Sequence, residues 1–370
     1  MDDLNKPLGQ KPAKQARSRA PLWAAALALG VAGLGYLFWT SQSANQPDTV
    51  VAIKDAKVEP EPVPPPQPAQ PVAPAPVEPA PQTAQQPDPP SQTAFRPRTD
   101  DTPKRPAWVF MPELAEETDN GILPKISTGG IRPLDAYSNP LTTIGPTRIA
   151  IVIGGLGISQ TGTQKAIDDL DSEVTLGFSA VGNSLNRWMQ VARKQGHEVA
   201  LQIPMEPIGY PTVDPGRNTL LADAPPAENI ARLHSALGRM TNYPVVMNYL
   251  GGNFANKREA IEPILKELRD RGLAYLDDGS SAASIALDLA EELRLPNGVG
   301  SIILDDVRDP KAIENQLRNI ELLAQRRGFA IATGTAFPET IAQVQAYIAD
   351  AKKRGIQIVP LSNLMRDYPR

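Results

Sequence analysis

The sequence predicts an α/β fold, a distorted (β/α) barrel in the C-terminal part of the chain, preceded by one transmembrane helix and a disordered proline-rich linker. Three observations lead to this prediction. Residues 20–40 form an uncharged, largely apolar run, residues 41–106 are dense in proline, and from residue 148 onward short β-branched runs alternate with segments of helical period. Such alternation is typical of a parallel sheet covered by helices.

The composition excludes several classes of function. The chain has 370 residues, a formal net charge of -4, no cysteine and two histidines. Binding to nucleic acid needs clustered Lys and Arg to neutralise phosphates, and no such cluster occurs. Without cysteine there is no disulfide, no thiolate nucleophile and no cysteine zinc site. With two histidines, a site built on several imidazoles is nearly excluded.

The N-terminal region predicts a membrane anchor. Residues 1–19 form a basic tail with five Lys or Arg against two Asp, and residues 20–40 are long enough to cross the hydrocarbon core of a bilayer. The positive-inside bias keeps the tail cytoplasmic, so everything after residue 40 is exported. The alternative is a cleaved signal peptide, for which Ser43-Ala44 offers a weak cleavage site.

Residues 41–106 predict an extended tether, since stretches such as 62–66 (Pro-Val-Pro-Pro-Pro) cannot build a core. Proline-rich chains favour polyproline II at about 3.1 Å per residue, so this tether would reach on the order of 150 Å. It is either a spacer towards a distant part of the envelope or a disordered linker without such a role. The folded domain is then expected over residues 107–370.

The folded domain shows eight candidate strands. They cover residues 148–153, 174–179, 198–203, 244–248, 274–276, 301–304, 330–332 and 357–359. The clearest helices between them cover residues 257–271 and 310–327, the first with an apolar stripe of Ile261, Ile264, Leu265 and Leu268. Eight strands in this length suit a barrel, whose functional site forms at the carboxyl ends of the strands.

Acidic residues gather at those strand ends. Asp277-Asp278 and Asp305-Asp306 follow two neighbouring strands, and Glu206 lies between two prolines that fix its direction. Carboxylates there could exchange protons or hold a cation, so Glu206, Asp277 and Asp305 are the candidate catalytic residues. The alternative is that the second acid of each pair caps a helix or faces solvent, and that Glu206 belongs to a rigid loop.

Two other features do not support a common catalytic motif. The glycines of residues 153–157 (Ile-Gly-Gly-Leu-Gly) follow a strand, but the third glycine of a dinucleotide-binding turn and the ribose-binding acid are missing. His197 enters a strand at the end away from the expected site, and His234 lies on a helix among apolar residues. Both histidines are therefore expected to be structural, which argues against a Ser-His-Asp triad.

Several stretches together resemble the divergent polysaccharide deacetylase family of Gram-negative bacteria, a branch of the NodB-like carbohydrate esterases. The resemblance covers residues 121–365 and implies a distorted (β/α) barrel related to enzymes that act on envelope polysaccharide. The matching stretches are residues 122–126 (Ile-Leu-Pro-Lys-Ile), 132–137, 148–153, 196–207 (Gly-His-Glu-Val-Ala-Leu-Gln-Ile-Pro-Met-Glu-Pro), 276–278, 304–307 and 338–341 (Pro-Glu-Thr-Ile).

The departures from the family pattern concern its metal ligands. Active relatives hold a divalent metal such as zinc with an Asp and two His. The resemblance equates the family's Asp-Asp pair with Gly154 and Gly155, its Asn-His pair with Asn248 and Tyr249, and a further histidine with Thr335. Losing these ligands removes the groups that would activate a metal-bound water, so no metal or other cofactor is expected.

Three hypotheses follow from the resemblance. The first is a catalytically degenerate domain that binds envelope polysaccharide, peptidoglycan or an envelope protein in the periplasm, held in the bacterial inner membrane by residues 20–40. The second is a carbohydrate hydrolase or deacetylase that uses Glu206, Asp277 and Asp305. The third is a structural envelope scaffold. Four side chains at strand ends are candidates for contacting the glycan: Gln202, Tyr210, Asn248 and Tyr249.

Overall fold

The computed structural model describes residues 106–139, 141 and 143–368. The predicted basic tail (1–19), membrane helix (20–40) and almost all of the tether (41–106) lie outside these residues. Within the described part of the chain, no helix combines the length and apolar character that crossing a membrane would require.

In the described part of the chain, the main sheet is parallel, as the alternating pattern predicts, and has nine strands, one more than the eight predicted. The strands are β3 (Arg148–Leu156), β4 (Thr175–Ser179), β5 (Val199–Met205), β6 (Val245–Leu250), β7 (Ala274–Asp277), β8 (Asn297–Val299), β9 (Ile302–Ile303), β10 (Phe329–Thr335) and β11 (Gln357–Ile358). Their order is β8-β7-β6-β5-β4-β3-β10-β9, and β11 pairs with the start of β3. A separate antiparallel hairpin precedes them, formed by β1 (Ala115–Thr118) and β2 (Gly121–Pro124).

One short segment joins the two edges of the sheet. β8 pairs with β7, and β9, which is separated from β8 by the two residues Gly300 and Ser301, pairs with β10. Between them Gly300 N donates to Asp277 O at 2.8 Å and Ser301 N donates to Ile331 O at 2.7 Å. The sheet therefore curls into a distorted (β/α) barrel, which confirms the predicted architecture at this level.

Eight α-helices lie among the described residues. They are α1 (Pro133–Tyr137), α2 (Gln160–Asp169), α3 (Leu185–Lys194), α4 (Pro226–Leu237), α5 (Arg258–Asp270), α6 (Ala286–Glu292), α7 (Pro310–Arg327) and α8 (Pro338–Ala351). The predicted stripe of α5 is buried as expected. Asp309 caps the start of α7, because its carboxylate accepts from Lys311 N and Ala312 N, and Gly328 caps its end with a φ of +83° that suits glycine.

Alternation along the strands divides the core into two layers. Ile149, Ile151 and Ile153 belong to the layer between the sheet and the helices, whereas Ala150 and Val152 face the barrel interior. This period of two is a direct consequence of strand geometry. The interior layer also contains side chains of the C-terminal segment, namely Val359, Leu361, Leu364 and Met365, so the barrel is filled rather than hollow.

The amino-terminal ends of the strands are closed by a buried polar network around Arg193 and Glu198. The Arg193 guanidinium donates to Tyr137 O at 2.7 Å and to Asn242 O at 2.6 Å. The Glu198 carboxylate accepts from Asn139 N at 3.0 Å and from Ser362 N at 2.8 Å. Segments from both ends of the domain are thereby attached to the same end of the barrel.

Candidate functional site

The carboxyl ends of the strands meet at one face of the barrel, where a parallel (β/α) fold places its site. Gln202, Tyr249 and Gly154 each lie two residues after a side chain that faces the barrel interior, namely Ala200 on β5, Met247 on β6 and Val152 on β3. Side chains two residues apart on a strand point to the same face, so all three residues lie on the inner side of the sheet. Thr335 pairs with Gly154 across β10 and β3. We call the surface formed by Gly154, Gln202, Tyr249 and Thr335 the barrel mouth.

The side chain of Gln202 fills the space beside Gly154. Its Oε1 accepts from Gly155 N at 2.9 Å, and its side chain is almost fully buried. A Cβ at residue 154 would lie 3.0 Å from Gln202 Nε2 and 3.1 Å from Oε1. Both distances are tighter than ordinary van der Waals contacts, so a Cβ at residue 154 would require the Gln202 amide to shift by a few tenths of an ångström.

The two glycines form an irregularity in β3. The pairing of β3 with β4 shifts by one residue between Ile153 and Leu156, which is the pattern of a β-bulge. Gly155 has a φ of +78°, and a Cβ there would lie 3.2 Å from Thr335 Cγ2. Gly155 thus permits a tight backbone turn next to Thr335. This structural role agrees with the sequence, which argues against a dinucleotide-binding site at these glycines.

Asp305 is buried and links three elements. Its Oδ2 accepts from Thr335 N at 2.7 Å and from the Thr340 hydroxyl at 2.8 Å, so it ties the segment after β9 to β10 and to the first turn of α8. Burial raises the pKa of Asp305 above its usual value, although both hydrogen bonds oppose the rise. The carboxylate is bonded to the backbone of Thr335, a residue of the barrel mouth, and both bonds use the same oxygen, Oδ2.

Asp277 and Asp278 are engaged locally. The Asp277 carboxylate accepts from Gly279 N at 3.0 Å and from the Ser284 hydroxyl, and only 3% of the residue is exposed. Asp278 Oδ1 accepts from Ser280 N at 2.8 Å. Burial raises the pKa of Asp278, the negative charge of Asp277 adds to the rise, and the bonds from Ser280 oppose it.

Asn248 joins the ends of β6 and β7. Its Oδ1 accepts from Asp278 N at 2.8 Å and its Nδ2 donates to Leu250 O at 2.7 Å, with 2% of the residue exposed. With both ends of the amide used inside the protein, Asn248 positions the chain around Tyr249. Tyr249 itself is 40% exposed at the barrel mouth.

Glu206 holds the loop that follows β5. Its carboxylate accepts from Ala222 N at 2.8 Å and from the Asn253 side-chain amide. Its backbone oxygen accepts from Asn253 N and Phe254 N, both at 3.1 Å. These bonds attach the loop carrying Tyr210 to the turn after β6. Glu206, Asp277 and Asp305 are therefore each bonded within a different loop, and within residues 106–139, 141 and 143–368 no hydrogen bond connects one of them to another.

Sequence reasoning missed the partners of these acids. Thr340 and Asn253, which bind Asp305 and Glu206, were not among the predicted residues. For Thr340 a signal existed, because it belongs to the Pro338-Glu339-Thr340 stretch that carries the family resemblance. Asn253 follows Gly251-Gly252 in a turn, and no pattern in the sequence singles it out.

Both histidines lie away from the barrel mouth. His197 precedes β5 at the opposite end of the barrel, and its two ring nitrogens lie 3.0 Å from Val174 O and 3.2 Å from Ile167 O. His234 Nε2 lies 2.6 Å from Glu267 Oε1, on α4 and α5. The structure thus confirms the structural assignment of both residues.

The residues present do not fit the zinc centre that the family resemblance implies. Gly154, Tyr249 and Thr335 offer neither a carboxylate nor an imidazole at the equated positions, and the Gln202 amide occupies the space beside Gly154. Across residues 106–139, 141 and 143–368, no group of three or more His, Asp or Glu is arranged to hold a metal ion. The donor set at the mouth is one of amide and hydroxyl groups.

Comparison with known proteins agrees with this architecture. An uncharacterized protein of Agrobacterium tumefaciens C58, whose crystal structure is solved, is 49% identical and superposes with a TM-score of 0.65, covering 66% of this chain and 99% of its own. An uncharacterized protein of Haemophilus influenzae is 24% identical over 221 residues, which are 60% of this chain and 78% of that protein.

A more distant structure is a peptidoglycan deacetylase of Bacillus subtilis, with 12% identity and a TM-score of 0.37 over 60% of this chain and 92% of its own. A likeness of this degree supports no conclusion about the site. The profile of the divergent polysaccharide deacetylase family matches residues 151–365, more than half of the 370 residues. This match covers the barrel from β3 to the C-terminal segment, and the chain therefore belongs to the divergent polysaccharide deacetylase family.

Proposed function

We propose that this protein is a membrane-anchored periplasmic module that binds envelope polysaccharide at its barrel mouth and does not carry out metal-assisted deacetylation. The observation that carries the proposal is the composition of the mouth. The deacetylase-type barrel is retained, but Gly154, Tyr249 and Thr335 stand where ligands are expected, and the Gln202 amide packs against Gly154 and accepts from Gly155 N.

The chemistry of the mouth supports binding over hydrolysis. Metal-assisted deacetylation needs a cation that lowers the pKa of a bound water and polarises the acetyl carbonyl. The Tyr249 and Thr335 hydroxyls and the Gln202 amide are neutral donors and acceptors, which suit the hydroxyl and amide groups of a sugar. The hydrolase hypothesis needs two acids that face the same substrate bond, and Glu206, Asp277 and Asp305 are each bonded within a different loop.

The location is part of the proposal. Residues 20–40 would hold the chain in the inner membrane, and the proline-rich residues 41–106 would let the barrel reach the peptidoglycan layer. Protease added to spheroplasts is expected to remove a C-terminal tag from the full chain while a tag on residues 1–19 stays protected. Protection of the C-terminal tag would overturn the periplasmic assignment.

The binding proposal is tested with the full chain in detergent micelles. Purified peptidoglycan sacculi and an N-acetylglucosamine hexamer are offered in a sedimentation assay and by calorimetry, and acetate release is followed with and without added Zn²⁺. We expect binding without acetate release. Zinc-dependent acetate release would contradict the loss of activity, and the absence of binding to both ligands would contradict the glycan assignment.

A further inference from the structure

The loop after β5 leaves apolar side chains exposed beside the barrel mouth. Ile208 is 79% exposed, Val213 47% and Tyr210 38%, and the neighbouring Tyr249 on β6 is 40% exposed. We call these four residues the apolar rim. Large apolar side chains that cluster on a surface mark a contact site more often than isolated ones do.

The apolar rim is held in place by hydrogen bonds. Glu206 lies at the start of the loop, and its carboxylate and backbone oxygens accept from Ala222, Asn253 and Phe254. Ile208 lies over the turn that follows Tyr249 and Leu250, because a Cβ at Gly252 would be 3.4 Å from Ile208 Cγ1. The loop after β5 and the end of β6 are thereby combined into one surface.

The size and charge of the apolar rim favour a sugar over a protein. Stable protein interfaces bury about 800 Å² per partner, which is more than four partly exposed side chains can offer. Residues 207–213 (Pro-Ile-Gly-Tyr-Pro-Thr-Val) contain no charged residue. A pyranose ring of a neutral sugar has an apolar C–H face of the size of a tyrosine ring and a hydroxyl edge, so it fits an uncharged surface that carries exposed aromatic rings.

We infer that the apolar rim is a stacking subsite for the pyranose rings of a neutral polysaccharide, with Glu206 as its positioning residue. This inference rests on the proposed glycan binding and adds to it where the polymer lies. The chain of sugars runs from the barrel mouth, lined by Gln202 and Tyr249, outward over Ile208 and Tyr210. Recognition uses ring faces, so it does not depend on cleavage of the acetyl group.

The test measures affinity of the full chain in detergent micelles for an N-acetylglucosamine hexamer by calorimetry. Tyr249→Ala and Tyr210→Ala are each expected to weaken binding roughly 10-fold, in line with the contribution of an aromatic contact. Tyr210→Phe keeps the ring and is expected to stay within about twofold of the parent, whereas Tyr249→Phe keeps the ring but loses the hydroxyl at the mouth and is expected to weaken binding less than Tyr249→Ala does. Leu322→Ala is the matched control, because Leu322 is also exposed but lies on the outer helix α7.

The role of Glu206 is tested by a graded series. Glu206→Ala removes both carboxylate contacts, whereas Glu206→Gln keeps one acceptor, so the loss of affinity is expected to be larger for alanine than for glutamine. In the double variant Glu206→Ala/Tyr210→Ala the losses are expected to be less than additive, because a displaced loop no longer presents Tyr210. Additive losses would assign Glu206 a role unrelated to the apolar rim.

The outcomes separate this inference from the function it rests on. If the parent binds the hexamer and both alanine variants at Tyr249 and Tyr210 bind equally well, the apolar rim is not the subsite, while the glycan-binding proposal stands. If the parent binds neither hexamer nor sacculi, both statements fail. Purification of a protein partner whose capture requires Tyr210, with glycan affinity unchanged in Tyr210→Ala, would assign the surface to that partner instead.

Discussion

Replacing Arg193 by methionine is expected to destabilise the barrel strongly. The residue is 3% exposed, and its guanidinium donates to Tyr137 O at 2.7 Å and to Asn242 O at 2.6 and 3.1 Å. Burial lowers the pKa of Arg193 to about 10, with the Glu198 carboxylate opposing the decrease. At neutral pH the side chain is therefore a buried cation that supplies donors to two carbonyl groups.

The magnitude follows from what methionine leaves behind. A buried acceptor that loses its donor costs about 1–3 kcal/mol, so the carbonyl groups of Tyr137 and Asn242 together cost about 2–6 kcal/mol. The Glu198 carboxylate also loses its favourable electrostatic interaction with the guanidinium. A cost of about 2–6 kcal/mol corresponds to a fall in Tm of about 4–24 °C for a domain of this size.

The assay is thermal unfolding of the full chain followed by circular dichroism. Arg187→Met is the matched control, since Arg187 lies on the same helix α3 with an exposed side chain, and its Tm is expected to change by less than about 2 °C. Adding Glu198→Gln to Arg193→Met is expected to recover part of the loss, because the uncompensated charge is removed. If Arg193→Met melts within about 2 °C of the parent, the network does not hold the barrel as we describe.

Two further predictions concern acids at the strand and helix ends. Asp278→Asn keeps the acceptor for Ser280 N and removes a carboxylate whose pKa is raised by burial. The raised pKa means that Asp278 stabilises the folded parent only while it is protonated, below the unfolded-state pKa, and that this stability is lost as the pH rises through the folded-state pKa. Asparagine does not ionise, so the Tm of Asp278→Asn relative to the parent should increase from about pH 3 to pH 7. A difference independent of pH would contradict this. Asp309→Ala removes the two bonds that cap α7 and is expected to cost about 1 kcal/mol by urea denaturation. Asp306→Ala, at an exposed acid three residues earlier, should leave the urea midpoint unchanged, and an equal shift in both variants would argue against capping.

Much of the fold follows from local patterns. β3, β5 and β10 were predicted because runs of β-branched residues buried on both faces have a recognisable composition, and α5 and α7 because their apolar residues recur with helical period. β8 (Asn297–Val299) was missed, since three residues that include Asn and Gly have little strand propensity. It exists because the sheet edge of β7 supplies its hydrogen-bonding partners.

The candidate site was predictable only in part. The sequence placed Gly154, Gln202, Tyr249 and Thr335 at strand ends, and the register of β3, β5, β6 and β10 brings them to one face. Which carboxylates are free for chemistry was not predictable. In the sequence, Glu206 and Asp305 are acids at strand ends, as catalytic acids would be. Their hydrogen-bond donors, Asn253 and Thr340, lie 47 and 35 positions further along the chain.

The class of the domain can be read from the amino-acid sequence, because the period of apolar residues and the family stretches are encoded locally. The sequence also determines what the mouth lacks, since a missing carboxylate or imidazole is visible in the residue types at Gly154, Tyr249 and Thr335. That the Gln202 amide lies against Gly154, and that Glu206 bonds to Ala222 and Asn253, is visible only in the tertiary structure. Both facts depend on contacts between strands and loops distant in the chain, which no local pattern specifies.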